Sequence, residues 1–485
     1  MSDSPDDDVP FEHTVADKAP QTSSNAGRLV GLTNDLSRHT VVGDEGGLGG
    51  RGGFLGRPRL SAGGPKRPAL RLEALDGLRG LAALYVVYFH VIAVASKPYT
   101  DALGKVGHLI ARSAEHGHDA VVTFIVLSGF VLMLPAARAA DGQLPGGLLD
   151  YFRRRVKRII PAYYMALLIV LVLGLAWAIA LGARAGQTPT ADMPNPFVSD
   201  ASVGGILSHF VLVQNFSRAW SIALDSPMWS VAVEAQIYVL MPLILLPVWR
   251  RFGMVASILV GLLIGMIPVF LLPRGTNFDT SCPWFVGVFA LGMAGAVCAQ
   301  AFSDRSILSH RRFWAGAATL LLLGVLFIQV GRPHLWWRLG LWTKDMLNGC
   351  VIAAFLVFLA RCQLDADGET STVSRILRSK SLLVLGGFSY SLYLVHNPII
   401  DLVELFLPTH LRPARHILAL LVIGMAASLI IAYLFSRAFE HNKVLGGWVD
   451  GLFEKVGHWL DARRLHQPAP FALPPDREQA TIVNQ

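Results

Sequence analysis

The sequence predicts an all-α, polytopic integral membrane protein with about ten transmembrane helices, and three observations carry that prediction. Of 485 residues, 53% are hydrophobic and 16% charged, and the mean hydropathy is +0.47. No soluble domain needs such a composition. From about residue 75 the apolar runs recur at bilayer-crossing length, roughly 20 residues each. Basic residues crowd into short segments between alternate runs, as membrane topology requires.

Residues 1–70 precede the first run and differ in kind. They are rich in Gly, Ser, Asp and Pro, and 43-GDEGGLGGRGGFLGRPRLSAGGPKRP-68 cannot bury enough apolar surface to fold. A disordered cytoplasmic tail is expected there, with no secretory signal peptide. A transmembrane domain over 71–441 and a cytoplasmic C-terminal tail over 442–485 complete the chain.

The expected spans are approximately 78–95, 119–137, 160–182, 229–248, 253–272, 284–301, 313–330, 346–361, 382–406 and 416–436. With a cytoplasmic N-terminus, the inside loops are 138–158, 249–252, 302–312 and 362–381, and they carry most of the clustered Arg and Lys. The positive-inside rule then puts both termini in the cytoplasm of a multi-pass protein of the cell's inner (cytoplasmic) membrane. Segment 203–217 (VGGILSHFVLVQNFS) is apolar but short and polar-punctuated, so it reads as an interfacial or re-entrant helix on the outer side. The net charge of +8 follows from this topology and implies no nucleic-acid partner. Cys282, Cys298, Cys350 and Cys362 lack paired spacing, so neither disulfides nor a metal site are expected.

Four stretches place polar chemistry inside apolar sequence. In 75-LDGLRGLAALYVVYFHV-91, Arg79 and His90 are eleven residues apart. That spacing rises roughly 16 Å and returns to within about 20° of the same helix face. Arg79 then marks one mouth of the membrane and His90 its middle, where an imidazole is either a packing group or a base. In 151-YFRRRVKRIIPAYY-164 a basic cluster precedes Pro161, which suits a first-turn position. The cluster is either topology charge or an anion site in which Arg155 and Arg158 grip phosphate.

In 229-WSVAVEAQIYVLMPL-243, Glu234 sits within an apolar helix one turn from Tyr238. It could pair with an arginine, orient His90 or bind a substrate hydroxyl. In 385-LGGFSYSLYLVHNPI-399, Ser389, Tyr393 and His396 share one helix face and either bond helices together or line a cavity. Walker, dinucleotide and hydrolase-elbow motifs are missing from the sequence.

Taken together, these residues resemble the membrane-bound acyltransferase-3 family. The resemblance rests on Arg79-x10-His90, 124-FIVLSGF-130, Arg155-x-x-Arg158 with Ile159 and Pro161, and Trp229-Ser230 with Glu234 and Tyr238. Ser389-Tyr390 with Tyr393, His396 and Pro398, then Ala432-Tyr433 with Glu440, complete it over about residues 72–441. Ile125, Val122 and His441 depart from the family pattern; the first two affect packing, and the third replaces a usual proline.

The resemblance implies an enzyme moving an acyl group, usually acetyl, from cytoplasmic acyl-CoA to a hydroxyl of a glycan or glycosylated acceptor. His90 would be catalytic, as general base or through a transient acyl-histidine. Glu234 joins it as a catalytic candidate. Arg79, Arg155 and Arg158 would serve the donor, with Tyr238, Ser389, Tyr393 and His396 as further substrate-binding candidates. Acetyl-CoA is then a substrate, no cofactor is tightly bound, and the lipid bilayer is a standing partner. Lacking the extra domain that some members carry, the chain would pass its acyl group directly to the acceptor or to a separate polysaccharide-biosynthesis partner. A proton-coupled transporter using His90, Glu234 and His396 is the rival reading, and a lipid or macrolide acceptor the rival within the enzyme class.

Overall fold

The computed structural model describes residues 72–95, 102–185, 195–271, 281–301, 307–331, 340–364, 371–408 and 410–465. The tail expected over 1–70 lies outside them. The described residues are helical, with one isolated bridge between Val198 and Leu224. In chain order the helices are α1 (Glu73–Val94), α2 (Lys105–Ser113), α3 (Gly117–Arg138), α4 (Gly147–Ala185), α5 (Val203–Phe210), α6 (Trp229–Leu240) and α7 (Leu246–Phe252). They continue with α8 (Met254–Leu271), α9 (Phe285–Ala301), α10 (Arg311–Gly331), α11 (Leu341–Leu364), α12 (Thr372–Leu377), α13 (Lys380–Gly387) and α14 (Ser389–Phe406). The last are α15 (Pro413–Ala419), α16 (Met425–Phe435) and α17 (Lys443–Leu465).

Eight helical segments among the described residues are long and apolar enough to cross a bilayer, and nine if the bent pair α13–α14 is one span. The expected count of ten is therefore not fixed. Helix α9 is apolar but short, and α13 meets α14 at a 73° bend. Large apolar side chains face outward, Phe270 at 72% exposure and Phe327 at 70%. Lipid accepts such a surface where water would not.

Helices α3 and α9 form the centre, with Val126, Leu127, Phe130, Phe285, Phe289 and Met293 fully buried. Two glycines let their backbones touch. A Cβ on Gly129 would lie 2.2 Å from the Phe289 carbonyl oxygen, and one on Gly292 would lie 2.0 Å from that of Val126. Small residues at a crossing are how membrane helices gain close packing. A second such contact joins α1 to α13, where a Cβ on Gly80 would lie 2.7 Å from the Gly386 nitrogen.

One expectation is adjusted. Pro161 does not begin a helix: α4 starts at Gly147 and carries the whole basic cluster as helix. Proline costs the ladder only its own N–H bond to residue 157 and local carbonyl room, which a 39-residue helix tolerates. Segment 203–217 does not span, since α5 has eight residues and Gln214–Phe216 forms a separate turn. Its polar groups are anchored to neighbours: Tyr163 donates to the His209 carbonyl at 3.1 Å, and Gln214 donates to Tyr163 and to the Met228 carbonyl, each at 3.1 Å. Beyond the last span, α17 lies against α4, with Lys157 Nζ 2.6 Å from Asp450 Oδ2.

Candidate active site

The basic face of α4 sets the entrance. Arg154, Lys157 and Arg158 fall at i, i+3 and i+4, one helix face. They line a vestibule of about 420 Å³ with Arg79, Asp76, Gly386 and Glu440. Arg79 reaches it from the first turns of α1, side chain 13% exposed, with Nη1 3.4 Å from Asp76 Oδ1. The Gly80–Gly386 contact brings that turn against the α13–α14 bend.

Arg79 and Arg158 also line the next space inward, a narrow slot of about 60 Å³. Glu234, Tyr238, Ser128, Ser389 and Tyr393 form its polar walls. Glu234 Oε1 accepts from Ser128 Oγ at 2.7 Å and from the Tyr238 hydroxyl. The carboxylate is therefore satisfied by hydroxyls; no arginine lies within ion-pair distance among the described residues. The Gly129 crossing is what turns Ser128 toward α6. At the deep end, Tyr393 donates to the Pro227 carbonyl at 2.9 Å, and its oxygen lies 2.6 Å from Ser230 Oγ.

His90 and His396 meet beside Tyr393, whose ring centre lies 5.8 Å from that of His396. Helices α1 and α14 run parallel here, each leaving the arginine end. His396 is fully buried, and its Nδ1 lies 2.8 Å from the Tyr393 carbonyl and 3.1 Å from that of Leu392. Carbonyls only accept, so Nδ1 carries the proton and Nε2 is an acceptor. Its partner is His90 Nδ1 at 3.1 Å, which also faces the Val86 carbonyl at 2.9 Å. His90 Nδ1 must then hold the proton, leaving Nε2 with an open lone pair. The hydrogen bonds place a proton on His90 Nδ1, so in the neutral imidazole Nε2 is the basic nitrogen.

Of the residues singled out in the sequence, Arg79, Arg158, Glu234, Tyr238, Ser389 and Tyr393 line one slot, with His90 and His396 beyond it. Arg155 stands apart, its guanidinium carbon 5.9 Å from the Tyr238 ring centre, and the vestibule uses Arg154 and Lys157 beside Arg158. Glu234 makes no bond to His90; the group that does is His396. His441, the departure from the family pattern, lines the vestibule, with Nδ1 3.0 Å from Ser436 Oγ. Linear spacing also hid one cluster: ligand-type atoms of His118, Cys282 and Asp345 lie within 4.8 Å of one another. Asp345 Oδ2 takes bonds there from His118 at 2.9 Å and Trp284 at 2.8 Å.

A family model described as an acyltransferase domain matches residues 72–437. The O-acetyltransferase OatA of Staphylococcus aureus (strain NCTC 8325 / PS 47) is 25% identical over 350 residues, 69% of this chain and 51% of that protein. The putative peptidoglycan O-acetyltransferase YrhL of Bacillus subtilis (strain 168) is 25% identical over 349 residues, 68% of this chain and 49% of its own. The peptidoglycan O-acetyltransferase OatA of Listeria monocytogenes is 24% identical over 431 residues, 80% of this chain and 60% of that relative. The chain thus spans about half the length of the curated relatives it matches. No solved structure matches it.

Proposed function

The chain belongs to the acyltransferase-3 family, and on that premise we propose that it is a membrane O-acetyltransferase moving acetyl from cytoplasmic acetyl-CoA to a carbohydrate hydroxyl, in an exported or surface polysaccharide. One observation carries the reading: Arg79 and Arg158 line both the basic vestibule and the slot, and Tyr393 of the slot wall is in ring contact with His396, the partner of His90. Phosphates of the donor bind Arg79, Arg154, Lys157 and Arg158 at the cytoplasmic face, where charge-assisted bonds are strongest on guanidinium forks. The thioester arm enters between Glu234, Tyr238 and Ser389. The acceptor oxygen attacks the thioester carbonyl carbon as its proton passes to His90 Nε2. The C–S bond then breaks, and the departing thiolate takes that proton back. His396 acts as a positioning residue, keeping the His90 proton on Nδ1. The names of the relatives, as O-acetyltransferases and peptidoglycan O-acetyltransferases, support both the acetyl group and the carbohydrate acceptor.

The test uses the full chain in nanodiscs with radiolabelled acetyl-CoA and glycan acceptors. The expected result is CoA release matched by acetylated glycan, reduced about 10²- to 10⁴-fold in His90→Ala, the usual worth of a general base. Transfer that survives His90→Ala unchanged would overturn the assignment. Labelled acetyl retained on His90 after acid quench would replace base catalysis with the acyl-histidine route.

A further inference from the structure

A second polar cavity lies at the end of the bundle away from the arginines. Asp225 and Ser226 precede α6, whose far end holds Tyr238. Asp401 lies twelve residues past Ser389 on α14, roughly 18 Å along the axis. Between them opens a cavity of about 260 Å³, lined by Phe197, Ile222, Asp225, Asn397, Pro398 and Asp401 among others. It shares no lining residue with the slot. The two are divided by the bonds of Tyr393 to Pro227 and Ser230.

Asp225 is the unusual member. It is 5% exposed, and among the described residues its carboxyl oxygens make no hydrogen bond of good geometry, the weak approach of the Asn397 amide apart. Its backbone φ is +44°, a region costly for any residue with a side chain. Leaving a buried polar group unpaired costs about 1–3 kcal/mol. A fold that bears both costs at one cavity wall is holding a group ready for something that enters. Burial holds the Asp225 carboxyl well above the usual carboxylate range; the Asp401 charge adds to this and the Asn397 amide opposes it. Across the cavity, Asn397 donates to Asp401 Oδ2 at 3.2 Å.

We propose that this cavity is the acceptor subsite, in which Asp225, Asn397 and Asp401 hold the ring hydroxyls of a neutral sugar. The inference rests on the acyl-transfer reading and says where its acceptor sits. Carboxyl and amide groups accept from and donate to vicinal hydroxyls, and a protonated Asp225 can do both. Phe197 and Pro398 offer apolar surface to the C–H face of the ring, the mixture of few polar and several apolar walls that ligand sites show. Among the described residues no Lys or Arg lines the cavity, which disfavours a phosphate or carboxylate group there. Asn397 directly follows His396, so a hydroxyl gripped here is held beside the imidazole pair. Transfer then requires the Tyr393–Pro227 contact to open and join slot to cavity.

Saturation-transfer NMR on the full chain in nanodiscs tests this, with glucose, galactose, mannose, rhamnose and N-acetylglucosamine oligomers of one to four units as probes. At least one probe is expected to bind the wild type and to lose tenfold or more in affinity in Asp225→Asn. Ile222→Trp fills the half-exposed rim without touching the buried carboxyls and should do the same. Acetyl-CoA affinity should stay within twofold in both variants, which separates a lost sugar site from a lost fold. Failure of every probe to bind the wild type, or equal binding by both variants, overturns the proposal. A wild type that binds sugar but transfers no acetyl overturns the transferase reading, and with it the acceptor role, while the sugar site stands.

Discussion

One nitrogen of His90 is already committed, to the Val86 carbonyl and to His396 together, and the proposed chemistry falls to the other. Removing His396 leaves the Val86 bond alone to hold the ring and should let the imidazole tilt. His396→Ala is expected to lower kcat about tenfold to a hundredfold with the KM for acetyl-CoA unchanged, and His396→Gln, which can still accept from Nδ1, should recover part of it. A rise in KM alone would show instead that His396 binds donor. The arginines separate in the same way. Arg158→Gln removes a group shared by vestibule and slot and should raise the donor KM about tenfold or more, the worth of one charged hydrogen bond. Arg155→Gln should change it less than threefold, since Arg155 lies against the Tyr238 ring; steady-state titration of acetyl-CoA reads both. Arg155 and Arg158 looked equivalent in the sequence because residues three apart share a face. Only the neighbour at Tyr238 divides them, and no spacing rule contains it. Glu234 was legible as a costly buried carboxylate, yet its partners Ser128 and Tyr238 come from contacts over 106 residues and 4 residues, and only the second can be read along the chain.

At the scale of elements, apolar periodicity placed all ten expected segments on helices, because the bilayer imposes length and polarity on each independently. What it missed are features set by neighbours. The basic stretch before Pro161 is helix, not loop, and α17 packs against it through Lys157 and Asp450. The bend at Phe388 sits where α13 closes on α1 at Gly80 and Gly386. The α3–α9 crossing is the most sensitive joint. Gly292→Leu should force those backbones apart and cost about 1–3 kcal/mol or more of overpacking, visible as a lower melting temperature in detergent. Because Ser128 neighbours Gly129, the same variant should also weaken transfer. A variant that melts and turns over like wild type would remove the crossing from this account.

For the whole molecule, sidedness follows from where the basic residues gather. Arg375→Cys, beside the arginine end, is expected to react with a membrane-impermeant maleimide only after cells are permeabilised, and Ile222→Cys in intact cells; the reverse pattern would invert the topology. The charge pattern predicts this orientation from the sequence, whereas the two cavities escaped it, because the slot joins α1, α3, α4, α6 and α14 and the second cavity joins α14 to the segments 196–199 and 222–226. The junction between them has an electrical meaning. If the slot opens to one compartment and the second cavity to the other, the membrane voltage falls mainly across the few ångströms of Tyr393, Pro227 and Ser230. One charge moved through it at 100 mV gains about 2.3 kcal/mol, so that hydroxyl contact is also an insulator. Tyr393→Ala proteoliposomes carrying a pH dye should dissipate an imposed proton gradient faster than wild type, even with no substrate present.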